Sequence, residues 1–158
     1  MKLVRAQTAP VAWFWNKGMN PSRVMALDLG KRRIGLALSD ELGLTAQGIE
    51  TLQRTNIRAD LARLGEIASQ NNVARIVIGN PIHMNGHEGR QSGHAHEFGA
   101  RLQAAVGLPV EYWDERLTTV EAQRVLRQSG ISIEKRASAV DRLAAVILLE
   151  SYLDSRRL

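Results

Sequence analysis

A single α/β domain, built on a mixed five-stranded sheet with helices on both faces, is the fold this 158-residue sequence predicts. Three observations carry the prediction. Apolar runs of strand length come first and then alternate with stretches of helical periodicity. Runs such as VMALDLG and RIVIG are apolar at nearly every position, as expected of strands covered on both faces. The length suits one compact core and leaves no room for two lobes closing on a large substrate.

Residues 1–22 share no periodicity with the rest of the chain and end at Asn20-Pro21-Ser22, so they are expected to form a poorly ordered N-terminal extension to a domain spanning 23–158. Met19 is a candidate start. Trp13, Phe14 and Trp15 stand where a signal peptide would carry small cleavage-site residues, so no secretory leader is expected. Val24–Leu29, broken only by Asp28, and Ile34–Leu38 flank Gly30-Lys31-Arg32 and read as a strand pair. A third strand covers Gly48–Gln53. Asn56 then caps a helix whose apolar residues Ile57, Leu61, Leu64, Ile67 and Ala68 recur at helical spacing.

Arg75–Gly79 reads as a short buried strand, and Asn80–Gly89 as a loop rich in Gly, Asn and His. A helix from about Gln91 to Val106 and a fifth strand over Pro109–Asp114 come next. Two helices close the chain, Thr118–Gln128 and Ser138 to about Ser155, separated by the polar stretch Ser129–Arg136. The order βββαβαβαα matches the ribonuclease H-like arrangement, although other three-layer α/β folds also accommodate it.

The absence of cysteine excludes disulfide stapling and thiolate zinc sites, and points to a reducing compartment, the cytoplasm. The longest apolar run, Leu143–Leu149, is far too short to span a bilayer, so no membrane association is expected. Net charge is +5, and 17 of the 21 basic residues are Arg, whose planar fork matches phosphate oxygens. A polyanionic partner fits this balance. Arginine enrichment from genomic base composition is the plainer alternative.

Three acids sit where the pattern calls for apolar residues: Asp28 inside VMALDLG, Glu115 in VEYWDERLTT, and Asp141 opening VDRLAAVILL. Two like charges ~4 Å apart repel by about 4 kcal/mol even at an effective dielectric near 20, so gathered carboxylates call for a cation. Asp28 and Glu115 lie near the C-terminal ends of strands expected to run parallel, where open α/β sheets bind ligands. Asp141 aligns with Ala144, Ala145, Leu148 and Tyr152 on the inner face of the last helix. Oxygen donors without sulfur suit Mg²⁺ or Mn²⁺ and phosphodiester hydrolysis. In a two-metal site with ions about 4 Å apart, Asp28 is the candidate for the shared carboxylate.

Other readings stand beside these. Ser138-x-x-Asp141 has the form of a capping box, which would make Asp141 an N3 residue. Asp28 could hold the amides of Gly30 and Lys31 as a turn residue. Asp114 and Glu115 face opposite sides of a strand, and the pattern does not choose between them. Thr118-Thr119-Val120-Glu121 is a capping box whose free amides could receive phosphate, or only a well-capped helix. His83, His87, His94 and His96 invite a zinc reading, but Asn85-Gly86 and Gly89 break the helix that such a site needs. A phosphate-facing or base-stacking loop fits better. Lys31, Arg32, Asn85, Arg116 and Thr118 are the candidate substrate-binding residues.

Together the motifs DLGKRRIGLALSD, IVIGNPIHMNGHEG, PVEYWDERLTTVEA and VDRLAAVILLESYL resemble the YqgF/RuvX group, described as pre-16S rRNA nucleases and as Holliday junction resolvases. The resemblance runs from Val24 to about Leu153. It implies a ribonuclease H-like fold, an acidic triad at Asp28, Glu115 and Asp141, and cytoplasmic cleavage near the 5′ end of the small-subunit rRNA precursor. Asn80 stands where the group usually has Leu, and Asn85 replaces the commoner Asp before Gly86, which lowers the negative charge of that loop.

A Mg²⁺-dependent nuclease acting on RNA is therefore the leading expectation, as a monomer or homodimer. A junction resolvase acting on DNA would need two sites related by twofold symmetry, hence a dimer. A non-catalytic nucleic-acid-binding protein is the alternative from another class. An actin-like or sugar-kinase ATPase shares the Asp-x-Gly hairpin, but length and the lack of a second phosphate motif disfavour it.

Overall fold

The computed structural model describes residues 22–80, 90–114, 124–125, 127–128 and 133–156. Five strands and three long helices run in the order β1 (Arg23–Leu29), β2 (Arg33–Ser39), β3 (Ala46–Gln53), α1 (Ile57–Gln70), β4 (Val73–Asn80), α2 (Arg90–Val106), β5 (Val110–Asp114) and α3 (Ile133–Arg156). Arg124, Val125, Arg127 and Gln128 are helical too, within the helix expected over 118–128. The strands form one sheet in the order β3-β2-β1-β4-β5. β1 pairs antiparallel with β2, and β2 with β3, whereas β1–β4 and β4–β5 are parallel. The expected mixed sheet is thus present. The extension through residue 21 and most of the loop at 80–89 lie outside the described residues.

Strand alternation sorts side chains by size. Met25, Leu27, Ile34, Leu36, Ile76 and Ile78 turn to the face covered by α1 and α2. Ala26, Ala37 and Val77 turn to the other, where they meet Ala145, Leu148, Leu149 and Tyr152 of α3. Small residues on the α3 side let that helix sit unusually close. A Cβ on Gly35 would fall 1.9 Å from the carbonyl oxygen of Asp141. Asn56 caps α1 as expected, its side-chain oxygen accepting the Ala59 amide at 2.9 Å.

The last helix departs from expectation in one respect. It starts at Ile133 rather than Ser138, since Ile133-Glu134-Lys135-Arg136-Ala137 contains good helix formers and no breaker. Ser138 is therefore no N-cap, and Asp141 lies more than two turns inside the helix instead of at N3. The Ser138 carbonyl accepts a hydrogen bond from the Thr51 hydroxyl at 2.7 Å, which ties α3 to β3.

Near its other end α3 is fastened to the sheet by a polar cluster. The Tyr152 hydroxyl donates to Glu111 Oε2 at 2.5 Å, and Arg156 Nη2 donates to both Glu111 oxygens at 3.0 Å. Arg75 completes the set at 3.3 Å from Glu111 Oε1. Burial pushes the Glu111 carboxyl up, but the Tyr152 and Arg156 hydrogen bonds and the charges of Arg75 and Arg156 outweigh it and hold it below its ordinary value. A carboxyl lowered by folding contributes stability that is present above its unfolded value and lost as pH falls through the folded one. Glu111→Gln is thus expected to cost about 1 kcal/mol at pH 7, the scale of a partly screened network. That corresponds to roughly 2–4 °C in Tm. Thermal melts between pH 7 and pH 3 check this, with a flatter acid limb in the variant as the expected outcome.

Candidate active site

The site begins at the β1–β2 hairpin. Asp28, only 8% exposed, is the penultimate residue of β1 and shares the parity of Ala26, so its side chain lies on the α3 face. Its antiparallel partner is Gly35, whose missing side chain admits the α3 backbone at Asp141. One close approach therefore brings the second acid toward the first. The Gly30 amide donates to the Arg33 carbonyl at 2.8 Å, so the turn is closed by backbone.

Asp141 is half-buried and accepts a hydrogen bond from Arg33 Nε at 2.7 Å across 108 residues of sequence. Arg33 escapes a sequence reading because its partner is distant in the chain. Its parity with Gly35 and Ala37, one face of β2, is the signal that was available. Asp28 and Asp141 line one cleft of about 1010 Å³, together with Lys31 and Arg32 of the hairpin, both exposed. The β3–α1 turn and α2 also line the cleft, and contribute Arg54, His94 and Arg101. Sequence reasoning singled out neither arginine, since nothing local distinguishes them from a solvated face. His96 leaves this wall and stacks on Tyr112 with ring centroids 4.0 Å apart.

Beyond β1 the same row continues across the sheet. Leu27 pairs with Ile78 and Ile78 with Tyr112, so Asp28, Gly79 and Trp113 occupy the next row on the α3 side. Asp114 has the parity of Tyr112, which belongs to the opposite core. Its side chain accordingly faces away from Asp28. Glu115, Arg116, Thr118 and Asn85 lie outside the described residues.

The donor chemistry at Asp28 and Asp141 fits a hard divalent cation that keeps several waters. Among the described residues, no group of three or more acids and histidines is gathered, so the described part of the site supplies two carboxylates. The cleft around them carries Lys31, Arg32, Arg54 and Arg101 on its walls beside two further acids, Asp60 and Glu97.

A family profile described as Holliday junction resolvase RuvX matches residues 22–155, which include the whole sheet, the cleft and nearly all of α3. The chain belongs to the RuvX family. Among relatives, a protein of Koribacter versatilis (strain Ellin345) named "Putative pre-16S rRNA nuclease" is 52% identical over 134 residues, covering 85% of this chain and 88% of that one. A Myxococcus xanthus (strain DK1622) protein of the same name is 45% identical over 135 residues, covering 85% and 89%. Solved structures similar to this chain include Thermus thermophilus RuvC bound to a Holliday junction substrate, at a TM-score of 0.54 and 15% identity over 85% of this chain and 96% of that one. Fowlpox virus resolvase bound to Holliday junction DNA matches at a TM-score of 0.54 and 14% identity, covering 85% and 98%. These likenesses establish the ribonuclease H-like fold. On RuvX membership the chain is a nuclease, a hydrolase of phosphodiester bonds.

Proposed function

We propose that this RuvX protein is a metal-dependent ribonuclease that cuts near the 5′ end of the 16S rRNA precursor in the cytoplasm. The observation that carries the reading is the convergence of Asp28 and Asp141, from the first strand and the last helix, on one cleft that Lys31, Arg32, Arg54 and Arg101 also line. The names of relatives 45–52% identical support the substrate. No helix among the described residues is long and apolar enough to cross a membrane.

In this reading Asp28, Asp141 and Glu115 hold Mg²⁺ or Mn²⁺, with Asp28 as the shared ligand if two ions bind. Such ions activate a water and stabilise the leaving oxygen in phosphodiester hydrolysis. Strand alternation supports Glu115 over Asp114, because Asp114 points to the opposite face. The β1–β2 pairing fixes the backbone at Asp28, and Arg33 holds the Asp141 carboxylate before substrate arrives. Lys31 and Arg32 contact strand phosphates from the hairpin, while Arg116, Thr118 and Asn85 are the remaining substrate contacts. Hydrolysis then adds the water oxygen to phosphorus and breaks the ester bond on the opposite side.

Junction resolution on DNA is the second reading, favoured by the description of the family and by the junctions bound in the similar structures. It requires a dimer with two sites related by twofold symmetry. Equal amounts of a 5′-extended 16S precursor and a four-way DNA junction, incubated with the protein and Mg²⁺, separate the two. Cleavage of the precursor by a protein that sediments as a monomer is the expected result. Paired nicks in the junction, with the precursor intact, would transfer the assignment to resolution, and cleavage of neither would leave a nucleic-acid-binding protein without catalysis.

A further inference from the structure

We propose that Arg54 is a preset phosphate anchor on the wall of the cleft beside the hairpin, engaging a backbone phosphate of the nucleic-acid strand; this rests on the nuclease reading above. Arg54 sits in the turn between β3 and α1, and three groups hold its guanidinium. Nη1 donates to the Gly30 carbonyl at 2.8 Å, Nε lies 3.7 Å from Asp60 Oδ2, and the guanidinium carbon stands 5.4 Å from the centre of the Phe98 ring. The Arg54 amide also donates to the Arg32 carbonyl at 2.8 Å, so backbone and side chain both join this turn to the hairpin that carries Asp28.

Asp60 is the unusual member. It is 3% exposed, and its Oδ1 accepts the Thr55 amide at 3.1 Å. A nearly buried carboxylate in the first turn of α1 holds the β3–α1 turn and faces Arg54. These contacts restrict a side chain that otherwise rotates freely, so little ordering remains when an anion binds. They also leave donors over. An arginine offers five N–H groups, and among the described residues only one of those of Arg54 makes a hydrogen bond, although the side chain is 28% exposed and lines the cleft. Arg101 and His94, exposed on α2, continue the same wall. A strand entering the cleft would meet Lys31 and Arg32 of the hairpin and Arg54 beside them.

A guanidinium that only clasps the turn would affect stability alone; an anchor also affects ion release. Binding of a fluorescent single-stranded RNA by full-length wild type, Arg54→Gln and Arg54→Lys, measured in EDTA across a salt series and paired with thermal melts, distinguishes the two. Arg54→Gln is expected to bind about tenfold more weakly, and to lower the slope of log K against log salt by about 0.7, one phosphate contact on a single strand. Arg54→Lys should keep the slope but bind several-fold more weakly, having lost the fork. Unchanged affinity and slope in both variants would overturn the anchor and leave the nuclease reading intact. If Arg54→Gln does not fold, Arg54→Lys decides, and wild-type affinity there overturns the proposal. Wild type that binds no RNA removes the ribonuclease reading and the RNA anchor with it.

Discussion

Asp28→Asn is expected to remove RNA cleavage, lowering the single-turnover rate on the order of 10³-fold or more while the protein stays folded and still binds RNA. The amide keeps the size of the side chain and takes away its negative charge. At about 1.4 kcal/mol per tenfold, such a loss corresponds to roughly 4 kcal/mol of transition-state stabilisation, the scale of a lost preorganised electrostatic contact. Lys31 and Arg32 are untouched by the change, so strand affinity should survive it. Cleavage rates measured beside RNA binding check both halves. A variant retaining full activity would show that Asp28 serves only the hairpin.

The largest stability effect is expected at Gly35. Its added Cβ would stand 1.9 Å from the Asp141 carbonyl oxygen, 2.2 Å from the carbonyl carbon and 2.9 Å from the Arg142 amide nitrogen. All three are backbone atoms of a long helix, so no side chain can swing aside; α3 itself must shift. Gly35→Ala should cost about 3 kcal/mol or more, at the upper end of overpacking penalties. For a chain of this size that is roughly 6–12 °C in Tm. Cleavage should fall as well, because the helix that moves carries Asp141. Gly93→Ala is the control, since a Cβ there meets nothing within 4 Å on an exposed turn of α2. It should leave Tm unchanged or raise it by roughly 2–4 °C, for the ~1 kcal/mol that Ala gains over Gly in a helix. Differential scanning fluorimetry of both variants decides the matter, and equal melting temperatures would remove the close-approach argument.

The sheet was legible from sequence because its strands are apolar runs of the right length between clear turn signals, and the Asn56 cap was legible because capping chemistry is local. The inward stripe through Asp141, Ala144, Ala145, Leu148 and Tyr152 was legible from helical spacing, and the last four are at most 3% exposed. The start of α3 was not. Ser138 has the form of a cap, and the preceding turn, Ile133–Ala137, has helix-forming residues but too few apolar ones to show a stripe. The partner of Asp141 was hidden for a different reason. Arg33 and Asp141 meet only because β2 is held in the sheet and Gly35 lets α3 approach. The Arg54–Asp60–Phe98 arrangement likewise depends on β3, α1 and α2 converging. Tertiary closeness of this kind leaves no periodic trace.

The basic balance of the chain became more specific in the fold. Of 21 basic residues, Arg33 neutralises a candidate ligand and Arg75 and Arg156 brace Glu111, whereas Lys31, Arg32, Arg54 and Arg101 line the cleft. The net charge of +5 alone does not separate these duties. Their positions do, since the last four border the cleft that holds Asp28 and Asp141.

The most direct test of metal-dependent cleavage at the Asp28–Asp141 edge is single-turnover cutting of a 5′-extended 16S rRNA precursor by the wild-type protein. The reaction is run with Mg²⁺, with EDTA, and with Mg²⁺ restored after EDTA. Cutting in the first, none in the second and recovery in the third is the expected result. Undiminished cutting in EDTA would contradict a metal-dependent site.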